Sequence, residues 1–486
     1  LLASSLSAAS LAEKFERDYV HEAQALLARH PGQSACDVLD KGEKALIARA
    51  WLAAHAQKSL DVQYFIWSDD NIGRLGLEAL LAAARRGVHV RLLVDDLLVG
   101  APPTLMLALA KQPNFELRIY NPNSTVGISF WRRWFNVATR FRRVNQRMHN
   151  KVFVADGLVG ITGGRNLAAE YFDYDHAFNF RDRELLVVGP LARSMQTAFS
   201  DFWASDLAVP VQNLLPEQAR AMNGADALAL CQGLQRYAAD PGNFSAAIRD
   251  QVKQLPQTFA KLLKELVWVS TARYVTDAPG KNNGAQGLGG GGQATSALAE
   301  VLRGAQQQVT LQSPYCILTP EARELFRGLV ARGVKVRIST NSLANNDNLQ
   351  AQGGYLRQRA GLLQDGLQLR EYKPEPAILQ QLLLRYPEMA DDKPIFVLHA
   401  KTLVVDSQTL FIGTFNLDPR SMNLNTESGV ILKSKALATE VEKAIEADMA
   451  PENSWDPAVD PPERFATRWR RIKAWAWGRL PLVPIL

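Results

Sequence analysis

Two stretches of this 486-residue chain place the same five chemically capable residues at the same spacing. The first, HNKVFVADGLVGITGGRN, carries His149, Lys151, Asp156, Gly163 and Asn166. The second, HAKTLVVDSQTLFIGTFN, carries His399, Lys401, Asp406, Gly413 and Asn416. Every anchor recurs 250 positions later, and a fixed internal period marks two copies of one structural unit. Alternation along a strand puts the His and Lys of each HxK on one side. The apolar run after each Lys reads as the rest of a buried strand, a turn, and a second short strand ending at the glycine. Each copy thus presents an imidazole, an ammonium and an amide, which alone make a weak phosphate cradle. Two copies facing each other surround one pocket with lysines and asparagines that neutralise and orient phosphate oxygens. They also supply two imidazoles, one to attack phosphorus and one to protonate the leaving oxygen. This chemistry calls for no metal and no cofactor. Cys36, Cys231 and Cys316 form no CxxC pair, and no carboxylate cluster has ligand spacing.

The elements that must position these residues are also duplicated. Residues 10–30 and 41–57 read as helices; 59–67 reads as a strand, 73–87 as an amphipathic helix stopped at Gly87, and 88–96 as a strand. That is a βαβ unit with a parallel strand pair. The second half repeats it with strand 307–317, helix 320–333 and strand 334–340. RGVHVR at 86–91 returns as RGVKVR at 332–337, and LRIYNP at 117–122 as LREYKP at 369–374. The pattern predicts an N-terminal helical segment over 1–40, a first domain over 41–210, a helical connector over 211–262, a second domain over 263–450 and a tail over 451–486. The glycine-rich 277–293, DAPGKNNGAQGLGGGGQ, matches no phosphate-loop fingerprint and reads as a flexible surface loop. The opening LLASSLSAAS has neither an initiator Met nor a basic leader, which leaves a processed signal or anchor and a cut boundary both open.

Net charge is +6, and two segments concentrate the basic residues: 130–147 and 464–479 each hold six Lys or Arg and no acid, and together five of the ten tryptophans. On a helical wheel Trp131, Trp134 and Phe141 fall on one half of 130–147, and Arg132, Arg133, Arg140 and Arg147 on the other. That is the pattern of an interfacial helix, here joined directly to a catalytic strand. The tail, with Trp469, Trp475 and Trp477 among arginines and stopped by Pro481 and Pro484, reads as a peripheral membrane foot. Basic residues mixed with tryptophan suit an anionic membrane surface. Nucleic acid is the other candidate partner, and it is not expected, because it leaves the apolar faces without a task. No run of about 20 apolar residues, the length needed to span a bilayer, is present.

The pattern H-x-K-x4-D-x6-G with its following Asn resembles the phospholipase D superfamily, and both copies keep every anchor. The resemblance implies an α/β chain of two tandem phospholipase D-like domains. Each would be a mixed β-sheet with helices on both faces, the two related by a pseudo-twofold axis with one active site at their interface. It further implies that a downstream Glu holds each catalytic imidazole. That role falls on Glu184, eighteen residues after Asn166, and on Glu427, eleven after Asn416; such a carboxylate fixes the tautomer and stabilises the imidazolium. The stretches QYFIWSDD, MHNKVFVADG, DAPGK, STNSLANND and GTFNLDPRSMNLNTE together resemble the bacterial cardiolipin synthase C-type branch. What this implies is a peripheral enzyme of the bacterial inner membrane, on a leaflet left open. It would pass a phosphatidyl group from a donor phospholipid to phosphatidylglycerol through a phosphohistidine, with His149 as nucleophile and His399 as acid, then base. A phospholipase D with water as acceptor shares the same intermediate, and an endonuclease is the reading from another class.

Overall fold

The computed structural model describes residues 8–123, 126, 144–244, 265–281, 287–386, 389, 391–392, 394–480 and 483–486. Two large mixed sheets organise it. Across the first, nine strands run in the order Val267–Val269, Ser34–Leu39, Glu184–Val188, Val159–Gly163, Val152–Ala155, Ser59–Trp67, His89–Val99, Phe115–Tyr120 and Ala208–Pro210. Across the second, eight run in the order Ala272–Thr276, Ser428–Lys433, Thr409–Gly413, Thr402–Val405, Gln308–Gln312, Lys335–Asn341, Gln368–Tyr372 and Ser454–Trp455. The βαβ units form as expected: Ser59–Trp67 lies parallel to His89–Val99, and Gln308–Gln312 parallel to Lys335–Asn341. Their crossover helices, Asn71–Arg85 and Pro320–Ala331, start where the sequence supplies caps, with Asp70 accepting from the Gly73 N–H and Thr319 from that of Ala322.

Alternation along the strands decides which side chains face which layer. In the first repeat Val152, Val154, Leu185 and Val187 point into a cluster shared with Val404, Leu410, Ile412 and Val430 of the second. The intervening Phe153, Ala155, Leu186 and Val188 point into the outer core of the first repeat, and Leu403, Val405, Phe411 and Ile431 into that of the second. The two sheets are therefore joined by a continuous apolar layer, into which the helices Pro190–Ala204 and Lys435–Met449 also pack.

Three expected boundaries differ. Ser34–Leu39, within the segment read as helical, is a fully buried strand paired with Glu184–Val188. Val267–Val269, assigned by sequence to the second domain, pairs with it and so extends the first sheet. Ser454–Trp455, in the tail, pairs with Gln368–Tyr372 and closes the second sheet. Short strands at or next to a sheet edge carry little periodic signal, and their pairing is a tertiary matter. The helix Gly224–Ala239 of the connector packs Ala227, Cys231 and Leu234 onto the outer core of the first repeat.

The motif aspartates belong to the scaffold. Asp156 and Asp406 adopt left-handed backbone conformations, φ 55° and 52°, in the turn between the two motif strands. The Asp156 carboxylate accepts the N–H groups of Gln57, Lys58 and Ser59 and the Tyr19 hydroxyl. The Asp406 carboxylate accepts those of Gln306, Gln307 and Gln308. Each one ties the start of its repeat's first βαβ strand to the motif hairpin. Four strand residues separate Lys from Asp, at about 3.3 Å per residue, so the aspartates sit at the end of the hairpin away from the histidines. Their expected catalytic role is thereby corrected to a structural one. Asp406→Ala is expected to lower unfolding free energy by about 1–3 kcal/mol, since it leaves backbone donors unpaired. Urea titration measures this, and turnover per folded molecule should stay at the wild-type level.

Candidate active site

Each HxK tripeptide lies just before its strand, not within it, because Val152 and Thr402 are the first strand residues. What fixes each tripeptide is the opposite repeat. The His149 N–H donates to the Thr426 carbonyl at 3.0 Å, and the Thr426 N–H to the Arg147 carbonyl at 2.9 Å. In the mirror arrangement the strand Ile395–Leu398 runs parallel to Phe178–Arg181, and the His399 N–H donates to the Arg181 carbonyl at 2.9 Å. The next residue after each of these partners is a carboxylate. Glu427 Oε2 lies 2.8 Å from His149 Nδ1, and Asp182 Oδ2 lies 2.6 Å from His399 Nδ1. Each imidazole is thus held by an acid from the other repeat, in the tautomer that leaves Nε2 for chemistry. The lysine ammoniums fold back on their own histidines: Lys151 Nζ donates to the His149 carbonyl at 2.7 Å, and Lys401 Nζ to that of His399. Phe65 meets the His149 ring edge-on, and Tyr171 that of His399, both at 5.2 Å between centroids.

Glu427 therefore stands where the sequence puts it, beside an imidazole. Glu184 does not. Its carboxylate is buried against the Arg49 guanidinium, and Asp182 holds the histidine instead. The register gives the reason. Gly163 pairs with Glu184, whereas its repeat mate Gly413 pairs with Gly429, so Glu184 is the counterpart of Gly429 and Asp182 that of Glu427. Aligning the apolar runs Leu185–Val187 and Val430–Leu432 finds this correspondence; counting from Asn166 does not. The spacing of the glycine, repeated in both copies, has a local cause. A Cβ on Gly163, at φ 154°, would meet the Arg183 carbonyl and Glu184 Cα at 2.6 Å, so only glycine lets the carboxylate-bearing strand come this close.

The asparagines diverge in use. Asn166 Oδ1 accepts the Ile66 N–H, and its Nδ2 donates to the Tyr171 hydroxyl, so this amide positions the ring packed on His399. Asn416 Oδ1 has no hydrogen-bond partner among the described residues. DAPGK, read as the start of a flexible loop, is partly fixed core. Lys281 Nζ lies 2.9 Å from Asp277 and donates to the Ser421 and Asn425 carbonyls, while Asp277 accepts the Glu427 N–H at 3.0 Å. Sequence reading missed Asp182, Tyr171, Asp277 and Lys281, since all four work through contacts with distant segments. Arg147, placed by the wheel on a solvated face, is buried and paired with Asp95 at 3.0 Å. Trp131, Arg132, Arg133, Trp134, Arg140 and Phe141 lie outside the described residues. Trp469 and Trp475 are exposed, and Trp477 is half-buried, on the helix Arg468–Arg479.

Burial and mutual charge set the ionisation of the centre. Burial, with the Lys151 and Lys401 ammoniums, holds His149 well below the ordinary imidazole value. Burial and Lys401 lower His399 to about 4, against the pull of Asp182. Burial brings Lys151 down to about 7 and Lys401 to about 8, although Glu427 and Asp182 oppose it. Glu427 is pushed up by burial to about 7. Burial acts the same way on Asp182, but the His399, Lys401 and Arg165 charges overcome it and keep this acid below the usual carboxylate range.

Comparison with known proteins fits this doubled site. A family model described as "Cardiolipin synthase, PLD-like domain" matches residues 52–203 and again 298–449, once on each sheet. The chain belongs to that family. Among its relatives, Cardiolipin synthase C of Escherichia coli strain K12 is 34% identical over 451 residues, covering 92% of this chain and 90% of that protein. Cardiolipin synthase A of Pseudomonas entomophila strain L48 is 26% identical over 81% of this chain and 64% of its own length. The crystal structure of phosphatidylserine synthase from Haemophilus influenzae Rd KW20 superposes with a TM-score of 0.57 over 96% of this chain and all of that one, at 15% identity, and shows the shared fold. Within the family's doubled fold, the crossed His–carboxylate pairs lie where the two matched regions meet.

Three outcomes are expected from this arrangement. Asp182→Asn should lower turnover by ~10²–10⁴-fold, by losing the group that orients His399. Glu184→Ala should instead cost about 3–5 kcal/mol of stability by stranding the buried Arg49; paired assays of melting and turnover separate the two effects. Because Lys151 and Lys401 lose their charge progressively as pH rises through about 7 and 8, inhibition by sulfate, a dianion throughout this range, should weaken through that window. Its inhibition constant, measured from pH 6 to about 9, reports this directly.

Proposed function

We propose that the chain is a phosphatidyltransferase of the cardiolipin synthase C type, moving a phosphatidyl group from a donor phospholipid to a hydroxyl of phosphatidylglycerol. The observation that carries this reading is the crossed pair of imidazoles, each held by the other repeat's carboxylate, beside two buried lysines. The likeness to E. coli Cardiolipin synthase C along nearly the whole chain supports the lipid assignment. Association with the bacterial inner membrane is peripheral in this reading; among the described residues no helix is long and apolar enough to cross a membrane.

In the first step His149 Nε2 attacks phosphorus. The bond from phosphorus to the donor headgroup oxygen breaks, and that oxygen takes a proton from His399, releasing the free alcohol. Lys151 and Lys401 balance the charge on the phosphoryl oxygens, and Asn416 directs its amide to them. In the second step neutral His399 takes the proton of the acceptor hydroxyl. The acceptor oxygen bonds to phosphorus, the phosphorus–nitrogen bond breaks, and His149 is restored. The order of the histidines is supported by their partners. Asp182 stays ionised and favours an imidazolium at His399, while Glu427, raised to about 7, offers His149 less stabilisation of that form.

Purified protein, given lipids labelled in headgroup and acyl chain, should yield cardiolipin by mass spectrometry. Phosphatidic acid alone would identify a hydrolase, and cut DNA a nuclease. With His399→Ala, a labelled phosphatidyl group should remain covalently bound at His149; label trapped on His399 in a His149→Ala protein would reverse the roles.

A further inference from the structure

The helix Arg468–Arg479 is built with its polarity inverted. It meets the body through small residues: Ala474 and Gly478 cross Gly353 so closely that a Cβ there would lie 2.5 Å from the Ala474 carbonyl oxygen and 2.7 Å from the Gly478 nitrogen. It is also pinned along its length, since Arg470 donates to the Leu343 and Asn346 carbonyls and Arg357 to that of Gly478. Its large apolar side chains point outward, with Trp469, Ile472 and Trp475 exposed by 63%, 56% and 61%. A helix held in place for core burial has the opposite arrangement. Basic residues frame this face: Lys473 lies over the Trp469 ring at 5.1 Å, Arg479 over that of Trp475 at 3.6 Å, and Arg468 and Arg471 are exposed beside them. No Asp or Glu follows Glu463 in the chain.

Beside the helix runs a groove of about 840 Å³, lined by Tyr315, Asp347, Leu349, Trp469, Ile472 and Trp477. We propose that the outward face of this helix seats the protein on an anionic phospholipid bilayer. The proposal stands apart from the lipid reaction assigned above. A rigid apolar face rimmed by positive charge complements acyl chains under anionic headgroups. It does not complement a second copy of itself, because a twofold contact would bring arginines against arginines.

Co-sedimentation with phosphatidylcholine vesicles, with and without phosphatidylglycerol, tests the face. The wild-type protein should bind the phosphatidylglycerol vesicles, and salt should release it. Trp469→Ser, Ile472→Ser and Trp475→Ser together should reduce binding at least ~10-fold. Turnover on vesicles should fall with it, while turnover of a dispersed short-chain phospholipid and the melting temperature stay unchanged. Arg468→Glu with Arg471→Glu should remove the preference for phosphatidylglycerol. Equal vesicle binding by the folded triple variant would overturn the proposal. So would a loss of self-association, or of single-stranded nucleic-acid binding, in place of the loss on vesicles. A protein that binds vesicles through this face yet forms neither cardiolipin nor phosphatidic acid would sink the proposed function and leave the docking surface standing.

Discussion

Each imidazole of the centre owes its orientation to a carboxylate supplied by the other half of the chain. His149 depends on Glu427, and His399 on Asp182. The distance between partners is set by backbone pairing one residue away, Thr426 against His149 and Arg181 against His399. That pairing in turn depends on the apolar layer between the sheets, where Val152, Val154 and Val187 pack with Val404, Leu410 and Ile412. Inter-sheet packing and catalytic geometry are consequently one constraint. A cavity in that layer displaces an acid relative to an imidazole, and a half-chain, however well folded, holds neither pair.

Assembly of this kind buries charge, which the fold offsets with more buried charge. Arg181 and Arg183 flank the Asp182 segment and both pair with Asp40, at 2.8 Å and 2.9 Å, while Arg183 also donates to Gln312 of the second repeat. Glu427 is anchored through its backbone by Asp277, which is itself neutralised by Lys281. Removing one member of such a pair leaves an uncompensated ion in low dielectric, which costs far more than a surface pair contributes. These residues therefore couple the stability of the domain interface to the position of the carboxylates that orient the histidines.

The centre itself carries more cation than its surroundings stabilise. Lys151 and Lys401 are both lowered, and both histidines are kept neutral by burial and by those lysines. The phosphodiester of the proposed reaction is an anion of the kind that would relieve this imbalance. Its negative charge raises the lysines toward full protonation and lets His399 accept a proton. In the proposed reaction, substrate binding and protonation of His399 are thus two aspects of one electrostatic event.

Much of this was legible in the amino-acid sequence. The repeat of His, Lys, Asp, Gly and Asn at a period of 250 residues, and the βαβ patterns around it, determined a doubled α/β fold and the two histidine–lysine pairs. They did so because local periodicity and motif spacing are properties of contiguous residues. Other features were decided only in three dimensions. Strand register put Asp182, two residues before the expected Glu184, against His399. Turn geometry turned Asp156 and Asp406 into backbone caps. Sheet assembly drew Ser34–Leu39, Val267–Val269 and Ser454–Trp455 to sheet positions that their short sequences do not announce. The orientation of Trp469 and Trp475 likewise follows from Gly353, more than a hundred residues away, whose missing side chain lets the small face of the last helix pack inward and leaves its large face to the outside. A one-residue shift along a strand changes which face a side chain occupies, and nothing within the strand itself records which neighbour it will meet.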